Sequence, residues 1–390
     1  MAQTAKGKIP VYVDGDAIVT DRPSGIGTTI VSLIRALSTN EEFLSRYELR
    51  VIIAVNKLDK LPRWNFNSNV KIRKRLIIGR ILNGLVKFHL LPPMDIVFGR
   101  GIYIFPNFRN WPLAWSPSVT YIHDVSFKVY PEYVEPRNLR LLEKNVGLWI
   151  DRTDKVVTVS EFAKKDIIKY FTLSNEKVEV VYNGIDDTFR PLTEAEVAPV
   201  LASYDLPYKK YFMFLSNLEP RKNLKGVLDG FKLYCDQQGK DSAALFLVGG
   251  MAWGNEDSIR QMEFMMKQGY KVIRPDHYVP DSDLPMLING SAALVSPAFY
   301  EGFGISPLQA MACGVQVVVS RTTSLPEVVG DTGIYVDAHD AQSIADGFKQ
   351  AYKKRDIRNE GGVKRAHKFT WRASGERLTS ILMELKRGEL

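Results

Sequence analysis

The sequence predicts an α/β protein built as two doubly wound, Rossmann-like domains facing a cleft. Three observations carry this. Short apolar runs of strand length alternate with helical segments of period 3.6 from one end of the chain to the other. Several of those runs end in glycine turns or polar pairs that lead into helix starts, which is where open α/β sheets bind ligands. At 390 residues the chain also exceeds what a single core usually supports.

Taken in order, Ile9–Val13 is a strand that runs into Asp14-Gly-Asp16, and Ser24-Gly-Ile-Gly-Thr28 precedes a helix over Thr29–Leu37. Gly25 and Gly27 either line a ligand site or simply make the turn. Asp14 and Asp16 read as loop-start aspartates ahead of a D-x-D metal pair. Leu49–Val55 is the next buried strand. Val70–Phe88 places Lys71, Arg73, Lys74, Arg75, Arg80 and Lys87 among aliphatics and reads as a basic amphipathic helix, for an anionic membrane surface or for its own domain. Ile102–Phe105 and Val119–Ile122 are strands, the second ending in His123-Asp124. A helix over Leu139–Asp154, a strand Lys155–Val159, a helix capped by Ser160, and a strand Val178–Tyr182 complete the first half. Pro191 to Pro207 loses strand character, and the junction belongs there. The domains are therefore expected at 1–190 and 208–370.

The second half repeats the alternation. Tyr211–Leu215 is a strand followed by the loop Ser216 to Asn223, in which Arg221 and Lys222 sit beside a helix start. Dipole arguments prefer acids there, so the two cations point to a bound phosphate or are simply solvated. Ala244–Val248 and Lys271–Arg274 are strands, and Ser282–Ile288 is a capped helix. The densest stretch is Ser296 to Gly314. Ala292–Ser296 is a buried strand, the glycines around Phe303 form a loop, and Ser306, Pro307 and Gln309 match a helix start of the S-x-x-Q type. Unpaired N–H groups and a positive helix end then face an anion, with the Glu301 carboxylate beside it. Amides for phosphate and a carboxylate for hydroxyls suggest a sugar nucleotide. Val315–Val319 and Gly333–Val336 are the last strands, and Ser324 to Glu327 reads as another capping box.

Composition narrows the classes. Apolar residues at 45% and charged residues at 25% are ordinary for a folded protein. The net charge of +8 favours an anionic partner. The two cysteines, Cys235 and Cys313, lie in apolar helical contexts, so neither a disulfide framework nor a metal site is expected. The polar start of the chain, and the lack of any run of roughly 18 uncharged apolar residues, favour a cytoplasmic protein, with the inner membrane face as a peripheral location. Nucleic-acid binding is disfavoured because the basic residues interleave with aliphatics rather than aromatics. A nicotinamide-dependent oxidoreductase is disfavoured because the first glycine loop lacks G-x-G-x-x-G.

Gly25-Ile-Gly27, Ile122-His-Asp-Val-Ser-Phe127, Val159-Ser-Glu161, Asn183-Gly-Ile-Asp186, Leu218-Glu-Pro-Arg-Lys-Asn-Leu224, Tyr278-Val-Pro-Asp281, Glu301-Gly-Phe-Gly304 and Leu325-Pro-Glu-Val-Val329 occur in this order across nearly the whole chain. Together they resemble the family 4 (GT4) glycosyltransferases of GT-B architecture, most of all bacterial mannosyl- and rhamnosyltransferases of surface polysaccharide assembly. The resemblance implies a retaining, metal-independent hexosyltransferase with no cofactor. It would take a nucleotide sugar, GDP-mannose first and dTDP-rhamnose or a UDP-sugar as alternatives, and act on a lipid-linked or oligosaccharide acceptor. Arg221 and Lys222 would neutralise the leaving diphosphate, Glu301 would hold the transferred sugar, and His123 would reach it from the opposite domain. Gly25 and Gly27 would line the phosphate or acceptor side, and Ser216, Tyr278, Gly302, Phe303, Gly304, Ile305 and Gln309 would contact the donor. The final segment, 371–390, would be a helix crossing back to the first domain. Where the family has a second glutamate eight residues after the first, this chain has Gln309. An amide offers the ribose one acceptor and one donor group instead of a carboxylate, which admits a sugar-nucleotide-binding subunit without turnover as an alternative.

Overall fold

The computed structural model describes residues 7–19, 25–61, 64–76, 92–250 and 253–389. Parallel strands cannot be joined by tight turns, so each needs a crossover, which this chain mostly makes with helices. The first sheet has seven strands in the order β3-β2-β1-β4-β5-β6-β7. They are β1 (Ile9–Asp14), β2 (Tyr47–Ala54), β3 (Val70–Arg75), β4 (Ile102–Phe105), β5 (Ser118–Tyr121), β6 (Lys155–Thr158) and β7 (Val178–Val180), and every pair is parallel. The second has six in the order β10-β9-β8-β11-β12-β13, again all parallel. These are β8 (Tyr211–Leu215), β9 (Ala244–Val248), β10 (Val272–Ile273), β11 (Ala293–Ser296), β12 (Gln316–Ser320) and β13 (Ile334–Val336). Their central strands are buried on both faces, which is why they read as unbroken apolar runs.

Strand order reverses between β1 and β4 in the first sheet and between β8 and β11 in the second, so both switch-point crevices lie beyond those strands' carboxyl ends. The last helix, Trp371–Glu389, packs on the helix Gly25–Thr39 and sends Leu378, Ile381 and Leu382 into the core of the first sheet. Thr370 pairs with Ile185 just before it.

Several expectations need correction. Residues 70–75 are not the start of a basic helix but the edge strand β3. Lys71, Arg73 and Lys74 are exposed along it, as suits a strand with no outer partner among the described residues, where charge discourages edge-to-edge pairing. Val70 and Arg75 turn inward, and Arg75 pairs with Asp16. The remainder of that segment, 77–88, lies outside the described residues. Gly25 and Gly27 do not form a free turn; both belong to the first turn of the helix Gly25–Thr39. The stretch 191–207 is largely the helix Glu194–Ser203, whose capping box joins Thr193 and Glu196.

Two of the expected capping boxes are absent. The helix Ile305–Ala312 starts at Gly304, with no side-chain cap, because the Ser306 hydroxyl donates instead to the Leu215 carbonyl at 2.9 Å. Ser324 likewise caps nothing: its hydroxyl donates to the carbonyls of Glu301 (2.9 Å) and Phe303 (3.0 Å). Asp283 stands at the N-cap of Leu284–Gly290 without capping it, its carboxylate accepting from the Tyr204 hydroxyl instead.

Candidate active site

At the switch point of the second sheet two loops meet. One follows β8 and carries Glu219 to Asn223; the other follows β11 and carries Pro297 to Gly304. The Phe299 N–H donates to the Arg221 carbonyl at 2.9 Å, and the Arg221 guanidinium donates to the Tyr300 carbonyl at 3.1 Å. Asn223, left-handed at φ +63, donates its amide to the carbonyls of Pro297 (3.0 Å) and Ala338 (2.7 Å). These bonds bring three charges together. Lys222 Nζ donates to Glu301 Oε1 at 2.5 Å, and Arg221 lies 3.7 Å from Glu301 Oε2. Beside them the helix Ile305–Ala312 presents N–H groups with neither an intrahelical partner nor a side-chain cap. Two cations and an open helix start are groups able to hold an anion, and Glu301 is an acceptor able to take hydroxyls.

The first lobe closes over this site. A Cβ on Gly302 would lie 2.8 Å from the His123 carbonyl oxygen and 2.9 Å from Asp124 Cβ, so only glycine permits the approach. Ser160 donates to the Gly302 carbonyl at 2.6 Å, and Tyr300 donates to the Asp166 carboxylate at 2.8 Å. Tyr130 and Phe162 set their rings against Tyr300, and Tyr133 against Phe299.

Charge reaches across as well. Burial would raise the Asp124 pKa, but the Arg221 charge, the Ser126 donors and Lys222 outweigh it and hold the carboxyl below its ordinary value. Burial works against the Arg221 charge in turn, and Asp124, Glu219 and Glu301 together push its pKa up. Lys222 is lowered by burial and by neighbouring Arg221, with Glu301 opposing. Its proton is therefore held chiefly by Glu301. His123 is buried, and its pKa falls because burial disfavours the imidazolium. Its Nε2–H donates to the Pro106 carbonyl at 2.9 Å, which leaves Nδ1 as the acceptor of a neutral ring.

The other anticipated residues divide into groups. Gly302, Gly304 and Ile305 stand at the candidate anion site. The Phe303 ring is spent in the core against Tyr182 and Phe369, so only its main chain is available to a ligand. Gln309 is half-buried on the helix Ile305–Ala312. Ser216 directly follows β8, at the same crevice. Tyr278 is exposed on the loop after β10 and donates to Asp281 at 3.1 Å. Gly25 and Gly27 lie in the other lobe, where Ile26 lines a cavity of about 550 Å3. That cavity sits at the first sheet's switch point, walled by Phe108, Trp111 and Trp149, with Asp14, Asp16 and Arg109 as polar groups. Trp111 donates to Asp14 at 3.0 Å, and the Pro106 main chain joins the cavity to His123. Sequence reasoning missed Asp124 as the counter-charge of Arg221, and it missed Ser160, Asp166 and Glu327 as cross-lobe partners. Asp124 was legible from its place at a strand end. The others had no local signal, because their partners lie more than 100 residues away.

Residues 23–189 match the family model Glycosyltransferase Family 4, and residues 205–369 match Glycosyl transferases group 1. The chain belongs to the family 4 glycosyltransferases. It is 31% identical over 363 residues to O-antigen chain mannosyltransferase B of Escherichia coli, covering 89% of this chain and 93% of that one. It is 28% identical over 256 residues to O-antigen chain mannosyltransferase RfbU of Salmonella typhimurium, covering 65% and 66%. In fold it is similar to Anabaena Alr3699/HepE, crystallised with UDP and glucose, at a TM-score of 0.71 and 15% identity over 96% of this chain and 100% of that one. The chain is thus a glycosyltransferase with two Rossmann-like lobes. Among the described residues no helix is long and apolar enough to cross a membrane.

Proposed function

We propose that the protein is a retaining hexosyltransferase that moves mannose from GDP-mannose to a nascent or lipid-linked glycan without a metal. The observation that carries this reading is the Arg221, Lys222 and Glu301 cluster beside the uncapped start of Ile305–Ala312, roofed by His123-Asp124. As the bond to the donor breaks, negative charge grows on the diphosphate. Arg221, Lys222 and the helix N–H groups are already oriented to receive it. On binding, the diphosphate competes with Glu301 for Lys222, freeing carboxylate oxygens for sugar hydroxyls. His123, neutral, offers Nδ1 as an acceptor to the sugar from the other lobe. Gly304, Ile305 and Gln309 line the phosphate and ribose side, and Ser216 and Tyr278 the nucleotide side. In this reading Arg221 and Lys222 neutralise the diphosphate in place of a metal ion.

Mannose is favoured by the similarity to relatives named mannosyltransferases. The acceptor's sugar end fits the cavity between β1 and β4, where aromatic walls and two carboxylates match a pyranose's apolar faces and hydroxyls. With acceptor present, GDP-mannose should release GDP and give an α-linked product, in EDTA as well as without it. Release from another sugar nucleotide alone would replace mannose, and a β-linked product would end the retaining assignment.

Gln309 favours a second reading, a sugar-nucleotide-binding subunit. It predicts thermal stabilisation by nucleotide, no turnover with any acceptor, and a gain of turnover in the variant Gln309→Glu. Membrane association is kept as a proposal on the net charge and on the apolar rim of Ile96, Val97 and Trp115, all exposed. Equal flotation with anionic and neutral liposomes would remove it.

A further inference from the structure

The helix Glu161–Phe171 is eleven residues long, and its start carries N–H donors that no intrahelical carbonyl can take. Ser160 accepts one of them, from Ala163 at 3.0 Å. The first two are taken from the opposite lobe: Glu327 accepts from the N–H of Glu161 at 2.8 Å and of Phe162 at 3.0 Å. The Tyr182 hydroxyl, also on the first lobe's side, donates to the same carboxylate at 2.8 Å. The main chain at Glu327 is held within the second lobe by Arg365, which donates to the carbonyls of Glu327 (2.6 Å) and Val328 (2.7 Å). A carboxylate on a helix start is favourable both as charge-assisted hydrogen bonding and against the helix dipole.

These bonds close a ring around the loop that carries Glu301. Ser324, three residues before Glu327, holds the carbonyls of Glu301 and Phe303. Ser160, the cap of the helix that Glu327 grips, donates to the carbonyl between them, that of Gly302. Three successive carbonyls, 301 to 303, are thus pinned by two serines, and Glu327 ties the segments carrying those serines together.

We propose that Glu327 is a positioning residue for glycosyl transfer: it latches the two lobes at the start of Glu161–Phe171 and thereby sets where Glu301 stands relative to Lys222 and His123. This rests on the glycosyltransferase activity and not on the identity of the sugar. Arg221, Lys222, Gly304, Ser216 and Tyr278, which this reading gives to the nucleotide, all lie in the second lobe and none of them bonds to Glu327, so loss of the latch should spare nucleoside-diphosphate binding while impairing transfer.

The test compares full-length Glu327→Ala, Glu327→Gln and Ser160→Ala with the wild type, using whichever sugar nucleotide the wild type turns over. Glu327→Ala is expected to lower kcat about 10- to 100-fold, the scale of lost charge-assisted hydrogen bonds and of a small misplacement of a catalytic group. Glu327→Gln, which keeps an acceptor oxygen, should fall between it and the wild type, and Ser160→Ala should show the same kcat loss with GDP affinity within about twofold. Solution scattering of the free protein should show a larger radius of gyration for Glu327→Ala, a readout that needs no donor and persists if the mannose assignment is wrong. Unchanged kcat in both Glu327→Gln and Ser160→Ala would overturn the proposal. So would an unchanged radius in a folded Glu327→Ala, or a kcat loss that merely follows loss of GDP binding.

Discussion

Lys222 and Glu301 are a pair whose members cannot be judged singly. Both side chains are largely out of solvent, at 14% and 11% exposure, so removing the acid strands a cation that burial and Arg221 already disfavour. Breaking a buried pair costs at most about 3–5 kcal/mol, and here less, since Lys222 can release its proton. In urea denaturation Glu301→Ala should therefore be less stable than the wild type, and the double variant Glu301→Ala/Lys222→Met should recover most of the loss. In transfer assays neither variant should recover, and each should fall about 100-fold or more if the two groups serve the departing diphosphate and the sugar. His123 sets a pH dependence. Its folded pKa lies below the ordinary 6.5, so near and below 6.5 the unfolded chain takes up a proton that the native ring refuses. The native state thus holds this contribution above pH 6.5 and loses it as pH falls towards the folded value. The Tm of His123→Asn should fall less steeply than that of the wild type between about pH 6.5 and 5.

Among the elements, the helix Ile305–Ala312 shows how a local rule can be satisfied in letter and unused in fact. Ser306 and Gln309 have the spacing of a capping box, yet Gly304 adopts φ +103, ψ 58 and turns the chain so that Ser306 reaches back to β8. An uncapped start is what an anion site requires. Gly304→Ala should cost about 1–2 kcal/mol from the left-handed backbone alone, measured as a lower Tm, and should weaken GDP binding if the diphosphate rests there. Val70–Arg75 departs from expectation for a related reason. A run of cations and aliphatics suits both a basic helix and a charged edge strand, and its own residues do not say whether a sheet edge lies beside it. Ser324 and Glu327 match the spacing of a capping box too, but their partners are the loop that carries Glu301 and the other lobe's helix.

At the scale of the whole molecule, the chain crosses between lobes twice, and its last helix belongs by packing to the first. Leu378, Ile381 and Leu382 are fully buried among side chains that precede residue 200, so the first lobe's core is finished only when the C-terminus arrives. Three such side chains are worth about 5–9 kcal/mol, a sum comparable with the whole stability of a domain. Truncation after Thr370 should leave the first lobe unable to fold cooperatively. The milder Ile381→Ala should cost about 2–5 kcal/mol in denaturant titration and spare GDP binding by the second lobe.

The alternation of buried strands and helices, the strand-end placement of His123-Asp124 and the two cations beside a helix start were all legible residue by residue, because period and turn chemistry are local. The strands around Val11, Leu49, Ile104, Val119, Val157, Phe212, Leu245, Val295 and Val318 could hardly be anything else. The sequence by itself thus determined two parallel sheets, where each exposes its ligand-facing ends, and which charges stand there. Only the tertiary structure decided what those charges meet: that Lys222 grips Glu301, that Asp124 answers Arg221, and that Glu327 holds a helix in the opposite lobe. Those partners are set by strand order and lobe packing, whose energies are summed over contacts distant in sequence and leave no mark in any short window of it.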